Sequence, residues 1–502
     1  MESSSQSPPL LSDKNAAINI VGAGVFGLST AIHLAQRGYK NITMFDKQPY
    51  DVSRYSYFKG CDAASADMNK IFRSAYGAQT EYQNLSIEAS SLWRQWNEEI
   101  ASGNVPEGMN SERDKVFLNH GNLSLTDQST LPAWEEATMQ NMNAAGLTNS
   151  QLNTYDPAHV QLAQEKGFGY GIDPFHRRQR GQSYLGVLDT TGGTLLADKA
   201  CYFALHKAKT LGVRTIFGPQ SGTLESFIYS SSSSSSHDTK TVTGIRTLDG
   251  KSHYSSFTIM ACGGWTPALL PELDSVCEAT AGSVVIMKLP DHLARRYSPH
   301  TFPSWTYNIR DGAEGGLYGF AATDDGYMKI GYRGTKYTNP KLQHDGRERS
   351  VPVTRYTDPE RITDEVPAQA IKVVKRFIAD FLPDLPANGV GIDLTRLCWY
   401  TDSWDNHFVI DHVPGRRGVF VATAGSGHAF KFLPNIGAWV VDVLEGKGLE
   451  RQLVKSWKWR TRPETKENVV NELMQGSEGP RALKKTKMSV ARKVTLSPRA
   501  NL

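Results

Sequence analysis

Ala17-Ile18-Asn19-Ile20-Val21 runs into Gly22-Ala23-Gly24-Val25-Phe26-Gly27, and a stretch of helical spacing from Ser29 to Arg37, closed by Gly38, leads to Ile42-Thr43-Met44-Phe45-Asp46. An apolar run, a glycine turn, an amphipathic stretch and a second apolar run predict strand, helix, strand. The glycines fall in the pattern G-x-G-x-x-G, and Asp46 follows Gly27 by 19 residues at the end of the second strand. Each part has a physical task. Gly22 permits the tight turn, Gly24 lets backbone approach a pyrophosphate, and Gly27 lets the helix pack on the strand. The helix N-terminus offers free N–H groups and a positive dipole end to phosphate, Val25 and Phe26 of the turn are further candidate cofactor-binding residues, and Asp46 can accept from a ribose hydroxyl. A glycine turn alone also occurs in α/β domains that bind no nucleotide. With strand, helix and acid in register, the reading is dinucleotide binding.

Outward from this core, Ile87 to Glu99 has helical spacing with Leu92, Trp93 and Trp96 on one face. Leu195 to Leu211 reads as a helix ended by Gly212, and Val213 to Phe217 as a strand. Thr223 to Tyr229 and Thr241 to Thr247 are strand-like and flank the serine run Ser230 to Ser236, which predicts a hairpin with a flexible tip. Phe257 to Ala261 and Gly418 to Thr423 are further strands, each followed by a glycine turn, and Asn435 to Leu444 is a helix. The signals of a nucleotide domain thus come in separated stretches.

The 502 residues suffice for two or three packed units, and 39% hydrophobic with 21% charged residues excludes a largely disordered chain. The net charge of +4 is small, and from Arg481 onward every charged side chain is basic. This basicity reads as a solvated C-terminal extension, and no basic, aromatic-interleaved stripe in the body points to nucleic acid. The five cysteines, Cys61, Cys201, Cys262, Cys277 and Cys398, show no metal-ligand spacing, so no metal is expected and an intracellular, reduced protein fits. The polar leader lacks the pattern of a signal peptide, and no apolar run reaches membrane-spanning length.

Four motifs separated along the chain carry a family resemblance. They are the glycine turn with Asp46; Asp67-Met68-Asn69-Lys70-Ile71-Phe72-Arg73-Ser74-Ala75-Tyr76-Gly77; Gly326-Tyr327-Met328-Lys329-Ile330-Gly331-Tyr332; and Cys398-Trp399-Tyr400-Thr401 with His407 to Asp411 and Gly425-Ser426-Gly427-His428-Ala429-Phe430-Lys431-Phe432. In these the chain resembles the FAD-dependent amine oxidases of the D-amino-acid-oxidase superfamily, in the group of monomeric sarcosine oxidase, pipecolate oxidase, saccharopine oxidase and the fungal fructosyl amino acid oxidases. The resemblance implies FAD bound covalently through Cys398, with Gly427, His428, Phe430 and Lys70 beside the flavin. It also implies a substrate carboxylate held by Arg73 and Lys431, and oxygen activated at Lys329. Taken alone, Cys398 would read as a buried core cysteine, Arg73 as a surface helix charge and Lys329 as an edge-strand lysine facing solvent. Lys431, set between Phe430 and Phe432, needs a partner on any reading.

The chain departs from both known substrate patterns of that group. Histidine at His428 matches the sarcosine and pipecolate type, whereas the position of Arg333 carries histidine in sarcosine-type enzymes and an acid in fructosyl enzymes. Arg333 either faces the pocket and reads an extra anionic or hydrogen-bonding group, or pairs with Asp324 or Asp325.

The expected fold is α/β: a Rossmann-like FAD-binding domain from residues 16–68, 185–275 and 395–450, and an antiparallel-sheet substrate domain from 69–184 and 276–394. A leader (1–15) and a basic tail (451–502) flank them. The expected activity is oxidation of the C–N bond of a small amino acid or amine, in particular a secondary amine, by oxygen, giving an imine and hydrogen peroxide, in a specialised biosynthetic setting. A deglycating fructosyl amino acid oxidase, or a flavin dehydrogenase with another acceptor, is the alternative. A monomer without membrane or nucleic-acid partners is expected. The terminal Ala500-Asn501-Leu502 resembles a weak peroxisomal address, which would add an import receptor as partner.

Overall fold

The computed structural model describes residues 9–61, 63–231, 240–354 and 365–490. Strand β1 (Ala17–Val21), helix α1 (Val25–Gln36) and strand β2 (Asn41–Asp46) form the unit read from the glycine motif. β1 lies inside a six-stranded sheet whose order is Val409–His412, Val419–Thr423, Phe257–Met260, β1, β2, Arg214–Phe217. All neighbours are parallel except the first pair. Ile20 stands between Met44 and Ile259 in register, and none of the three is exposed. Burial of a parallel sheet on both faces explains why these strands read as continuous apolar runs.

Helix Ile436–Leu444 lies close against α1: the Gly437 N–H donates to Ser29 Oγ at 2.8 Å, and a Cβ on Gly437 would come within 2.1 Å of the Ser29 carbonyl oxygen. The helix predicted over Ile87 to Glu99 extends from Thr80 to Ala101. It buries Trp93 and Trp96, and Trp93 Nε1 donates to the Lys431 carbonyl at 2.7 Å.

A second, eight-stranded sheet runs in the order Leu394–Ser403, Cys277–Lys288, Tyr327–Tyr337, Leu317–Gly319, Ser304–Tyr307, Asn122–Leu125, Gly186–Asp189, Gln151–Asn153. It is antiparallel except where Ser304–Tyr307 runs parallel to Asn122–Leu125, so it is mixed rather than wholly antiparallel. Two strands expected in the nucleotide domain belong here. Gly186–Asp189 pairs with Asn122–Leu125, and Leu394–Ser403 pairs along its length with Cys277–Lys288. An apolar run does not reveal which sheet it joins. The chain crosses to the six-stranded sheet only after Ser403, through a turn in which Asn406 takes φ 66°. A small sheet of Lys70–Phe72, Gly193–Leu195 and Phe117–Leu118 contains Lys70.

The C-terminal segment, read from sequence as a solvated extension, is docked as far as Val490. Met488–Val490 pairs with Glu365–Pro367, the Thr338 N–H donates to the Arg481 carbonyl at 2.9 Å, and Leu483 is buried in the core under the larger sheet. Its apolar residues Ala482 and Leu483, masked by the surrounding charges in the sequence, supply the anchor. Leu224–Tyr229 and Lys240–Thr247 form the predicted hairpin. Most of the serine tip, the start of the leader and Ala500-Asn501-Leu502 lie outside the described residues. Among the described residues no helix is long and apolar enough to cross a membrane.

Candidate active site

A cavity of about 1200 Å³ runs from the glycine turn to the larger sheet. At the turn, Gly22 takes φ +105°, and a Cβ there would meet the Ala261 carbonyl oxygen at 2.3 Å. A Cβ on Gly27 would strike the Gly22 carbonyl oxygen at 1.8 Å, which is the close helix–strand approach the motif requires. Gly24 caps α1 beside Ser65, whose Oγ accepts from the Val25 N–H at 3.2 Å. Asp46 accepts from the Ala23 N–H and the Gln48 N–H, each at 2.8 Å, and burial raises its pKa. It thus braces the turn while lining the cavity. A backbone without side chains at Gly22 and Gly24, a helix N-terminus and an acid in register suit the pyrophosphate and ribose of FAD.

Further along, Cys398 is fully buried on the Leu394–Ser403 strand and lines the cavity, with Lys70 Nζ 3.8 Å from its sulfur. Lys70 and Lys329 share one carboxylate: both ammonium groups reach Asp67 Oδ2, at 2.6 and 2.9 Å, and Lys329 also donates to the Asn69 carbonyl at 2.6 Å. Burial opposes ionisation of Asp67, but Lys329 and Lys70 outweigh it and hold the carboxyl far below its usual range. Lys70 loses basicity by burial but gains more from Asp67, and its pKa rises. For Lys329 burial wins, aided by Lys70 and opposed by Asp67, and its pKa falls to about 8. Lys329 is fully buried on an interior strand, between Cys277–Lys288 and Leu317–Gly319, so the edge-strand reading fails.

The far end of the cavity is basic. Lys431, 6% exposed, donates from Nζ to the Arg73 carbonyl at 2.7 Å and lies 4.6 Å from the centre of the Tyr76 ring. Burial pushes its pKa far down, and Arg73 adds to the effect. Arg73 follows the Lys70–Phe72 strand, not a surface helix, and its guanidinium meets no carboxylate among the described residues. Burial lowers its pKa against opposing pulls from Glu135 and Tyr76, and Arg333 adds a lesser push in the same direction as burial. Arg333 lines the same cavity and pairs with neither Asp324 nor Asp325.

His428 carries no charge here. Burial pushes its pKa down to about 3, its Nε2 lies 3.0 Å from the Asn406 carbonyl and its Nδ1 3.1 Å from Tyr76 Oη. A carbonyl can only accept, so Nε2 holds the hydrogen, and the ring has no N–H left for a flavin. Gly427 is exposed to the cavity, and Phe430 lies half-buried beside it.

Sequence reasoning missed several residues of the site. Asp67 opens the quoted Asp67-to-Gly77 motif but was given no role, because its partner Lys329 is 262 residues away. Arg310 pairs with Glu135 at 3.3 Å and stacks over Trp134 at 3.9 Å. Tyr318 and Tyr400 place their hydroxyls 3.5 Å apart, and burial raises both pKa values, Tyr400 to about 12. Both phenols therefore keep their protons. Arg310 lies in a turn, Tyr318 on a three-residue strand and Trp134 in the first turn of the Ala133–Ala144 helix, in a stretch read from sequence only as mixed polar and turn residues.

A dinucleotide cradle leading past a buried cysteine and a lysine-bridged acid to a basic pocket defines a flavoprotein oxidoreductase. The chain belongs to the family described as FAD dependent oxidoreductase, whose profile matches residues 18–443. It is similar to the L-saccharopine oxidase of Schizosaccharomyces pombe, 28% identical over 448 residues that cover 88% of this chain and 93% of that protein. It is also similar to an N-methyl-L-tryptophan oxidase of Escherichia coli, 26% identical and covering 85% of this chain and 94% of that one. Among solved structures, a modified fructosyl peptide oxidase from Aspergillus nidulans superposes with a TM-score of 0.75 at 25% identity, over 94% of this chain and 99% of that one.

Proposed function

We propose that the protein oxidises the C–N bond of an amino acid whose nitrogen is a secondary amine, with oxygen as acceptor. The convergence of Arg73 and Lys431 on one cavity with the Lys329–Asp67–Lys70 bridge and Cys398 carries this reading. The likeness to oxidases of saccharopine and N-methyl-tryptophan supports it. Bound FAD supplies a two-electron acceptor for the hydride beside the amine nitrogen and passes the electrons to oxygen as hydrogen peroxide.

The chain's own residues aim, hold and stabilise. Arg73 offers a bidentate fork and Lys431 a point charge, a pair suited to the α-carboxylate. An incoming carboxylate supplies the counter-charge that buried Lys431 lacks and so favours its ammonium form. The Tyr318 and Tyr400 hydroxyls can donate to the cofactor or substrate without introducing charge. Asp67 neutralises one of its two lysines, leaving one net positive charge in a dry site, where negative charge developing on oxygen is stabilised. Cys398, with the Lys70 ammonium beside its sulfur, would be the residue to hold the flavin covalently.

Two experiments test this. Acid precipitation should leave the yellow colour in the pellet for wild type and release it for Cys398→Ala; colour freed from wild type contradicts the covalent link. A peroxide-coupled screen over primary, N-methyl, cyclic and N-alkyl amino acids should favour the secondary amines. Turnover confined to fructosyl amino acids would move the reading to a deglycating oxidase.

A further inference from the structure

We propose that the substrate carries a second carboxylate, remote from its α-carboxylate, and that Arg333, with Arg310 beside it, forms the subsite that holds it. This rests on the α-carboxylate clamp proposed above and extends it.

The charges lining this end of the cavity do not balance. Arg73, Arg310, Arg333, Lys336 and Lys431 line it. Lys336 is matched by buried Asp402, and Arg310 by Glu135. Lys431 has only a backbone carbonyl, and the guanidinium groups of Arg73 and Arg333 meet no carboxylate among the described residues. A single α-carboxylate compensates the Arg73–Lys431 end and leaves Arg333 over. Buried Lys431 and half-buried Arg333 each gain from a counter-charge that arrives with the ligand, so the pocket suits a ligand with more than one negative charge.

Position supports the same conclusion. Arg333 and Lys329 lie on the one Tyr327–Tyr337 strand four residues apart, hence on one face and about 13 Å apart at 3.3 Å per residue. Lys329 marks the reacting end, so Arg333 stands where the far end of a substrate several carbons long would reach. Asp325 lies in the turn before the same strand and makes no ion pair with Arg333.

The wall around Arg333 is open. A Cβ on Gly427 would lie 3.4 Å from Arg333 Nη1 and 3.4 Å from the Tyr400 ring, so glycine there leaves the guanidinium uncovered. Its backbone is pinned by an N–H bond to the Gly316 carbonyl at 2.9 Å. At Gly316 and Gly334 the two backbones are in contact, a Cβ on Gly316 falling 2.4 Å from the Gly334 nitrogen. The fork is therefore held by its main chain rather than by an ion pair.

The test reads binding to oxidised holoenzyme through the flavin spectrum, with butyrate as monocarboxylate probe and succinate, glutarate and adipate as dicarboxylate probes. One dicarboxylate of the series should bind about tenfold to a hundredfold tighter than butyrate, the gain expected of one further charged hydrogen-bonded contact. In Arg333→Met the ratio should fall to about one, and Arg333→Lys should restore part of it. Equal binding of butyrate and every dicarboxylate by wild type, or a ratio that survives Arg333→Met, overturns the second subsite and leaves the clamp standing. If neither kind of carboxylate binds, the clamp falls and this inference with it. The kinetic counterpart uses N-alkyl amino acids ending in a carboxylate or in the matching amide: the acid should be preferred by wild type and not by Arg333→Met.

Discussion

Lys329 was readable in the sequence as a charge in an awkward place, between Met328 and Ile330. What was not readable is that Asp67 makes the place tolerable, because a contact across 262 residues leaves no local pattern. With its pKa drawn down to about 8, Lys329 is charged below that pH and neutral above it. Oxidation of reduced enzyme by oxygen should therefore slow as pH rises through about 8, and Lys329→Met should slow it below that pH and remove the pH dependence while sparing reduction by substrate. Stopped-flow measurement of the two half-reactions checks this, and a pH-independent oxygen step would remove Lys329 from the role.

Arg73 and Lys431 were named by their motifs, yet the bond from Lys431 to the Arg73 carbonyl, which brings them to one cavity, is a property of the fold. Loss of either cation should cost about 2–5 kcal/mol in kcat/KM, roughly thirty- to several-thousand-fold, with the double variant less than additive. His428 shows the opposite case: its residue type was readable, its neutrality was not, since that follows from burial and from Asn406. Because His428 and buried His120 have pKa values of about 3 and 4 in the fold, below their ordinary 6.5, the unfolded chain binds more protons there. Their stability contribution is complete above about 6.5 and is lost as pH falls toward 4. The thermal midpoint should decline over that window, and His120→Gln should decline less.

At the scale of elements, the unit from Ala17 to Asp46 was legible as strand, helix and strand, because periodicity, turn glycines and a helix stop all agree there, although the helix begins at Val25 rather than at Ser29. The strand Leu394–Ser403 was legible as a strand and assigned to the wrong sheet. Its ten-residue pairing with Cys277–Lys288 is a long-range choice that an apolar run leaves open. This matters for function, since it places Cys398 on the substrate sheet, facing a cavity whose other end is on the nucleotide sheet. Close packing of Ile436–Leu444 on α1 fixes that relation. A methyl group at Gly437 has no room beside the Ser29 carbonyl, so Gly437→Ala should lower stability by about 1–3 kcal/mol, read as a reduced unfolding midpoint. An unchanged midpoint would mean that the two helices are not packed as described.

Across the whole molecule, two sheets hold opposite ends of one cavity, and the C-terminal segment closes around it: Val470 and Asn471 line the cavity, and Asn471 donates to the Ser403 carbonyl at 2.6 Å. The sequence marked that segment only by its basic charges, which hid the apolar anchor at Leu483. The central claim is that this cavity aligns a carboxylate-bearing amine with a bound flavin. Anaerobic mixing of the holoenzyme with an N-methyl amino acid and, separately, with the matching amine that lacks the carboxylate tests it most directly. The account predicts rapid loss of flavin absorbance with the acid, much slower loss with the decarboxylated amine, and near indifference of that amine to Arg73→Ala. Equal reduction by the two, or none by any amino acid, would contradict it.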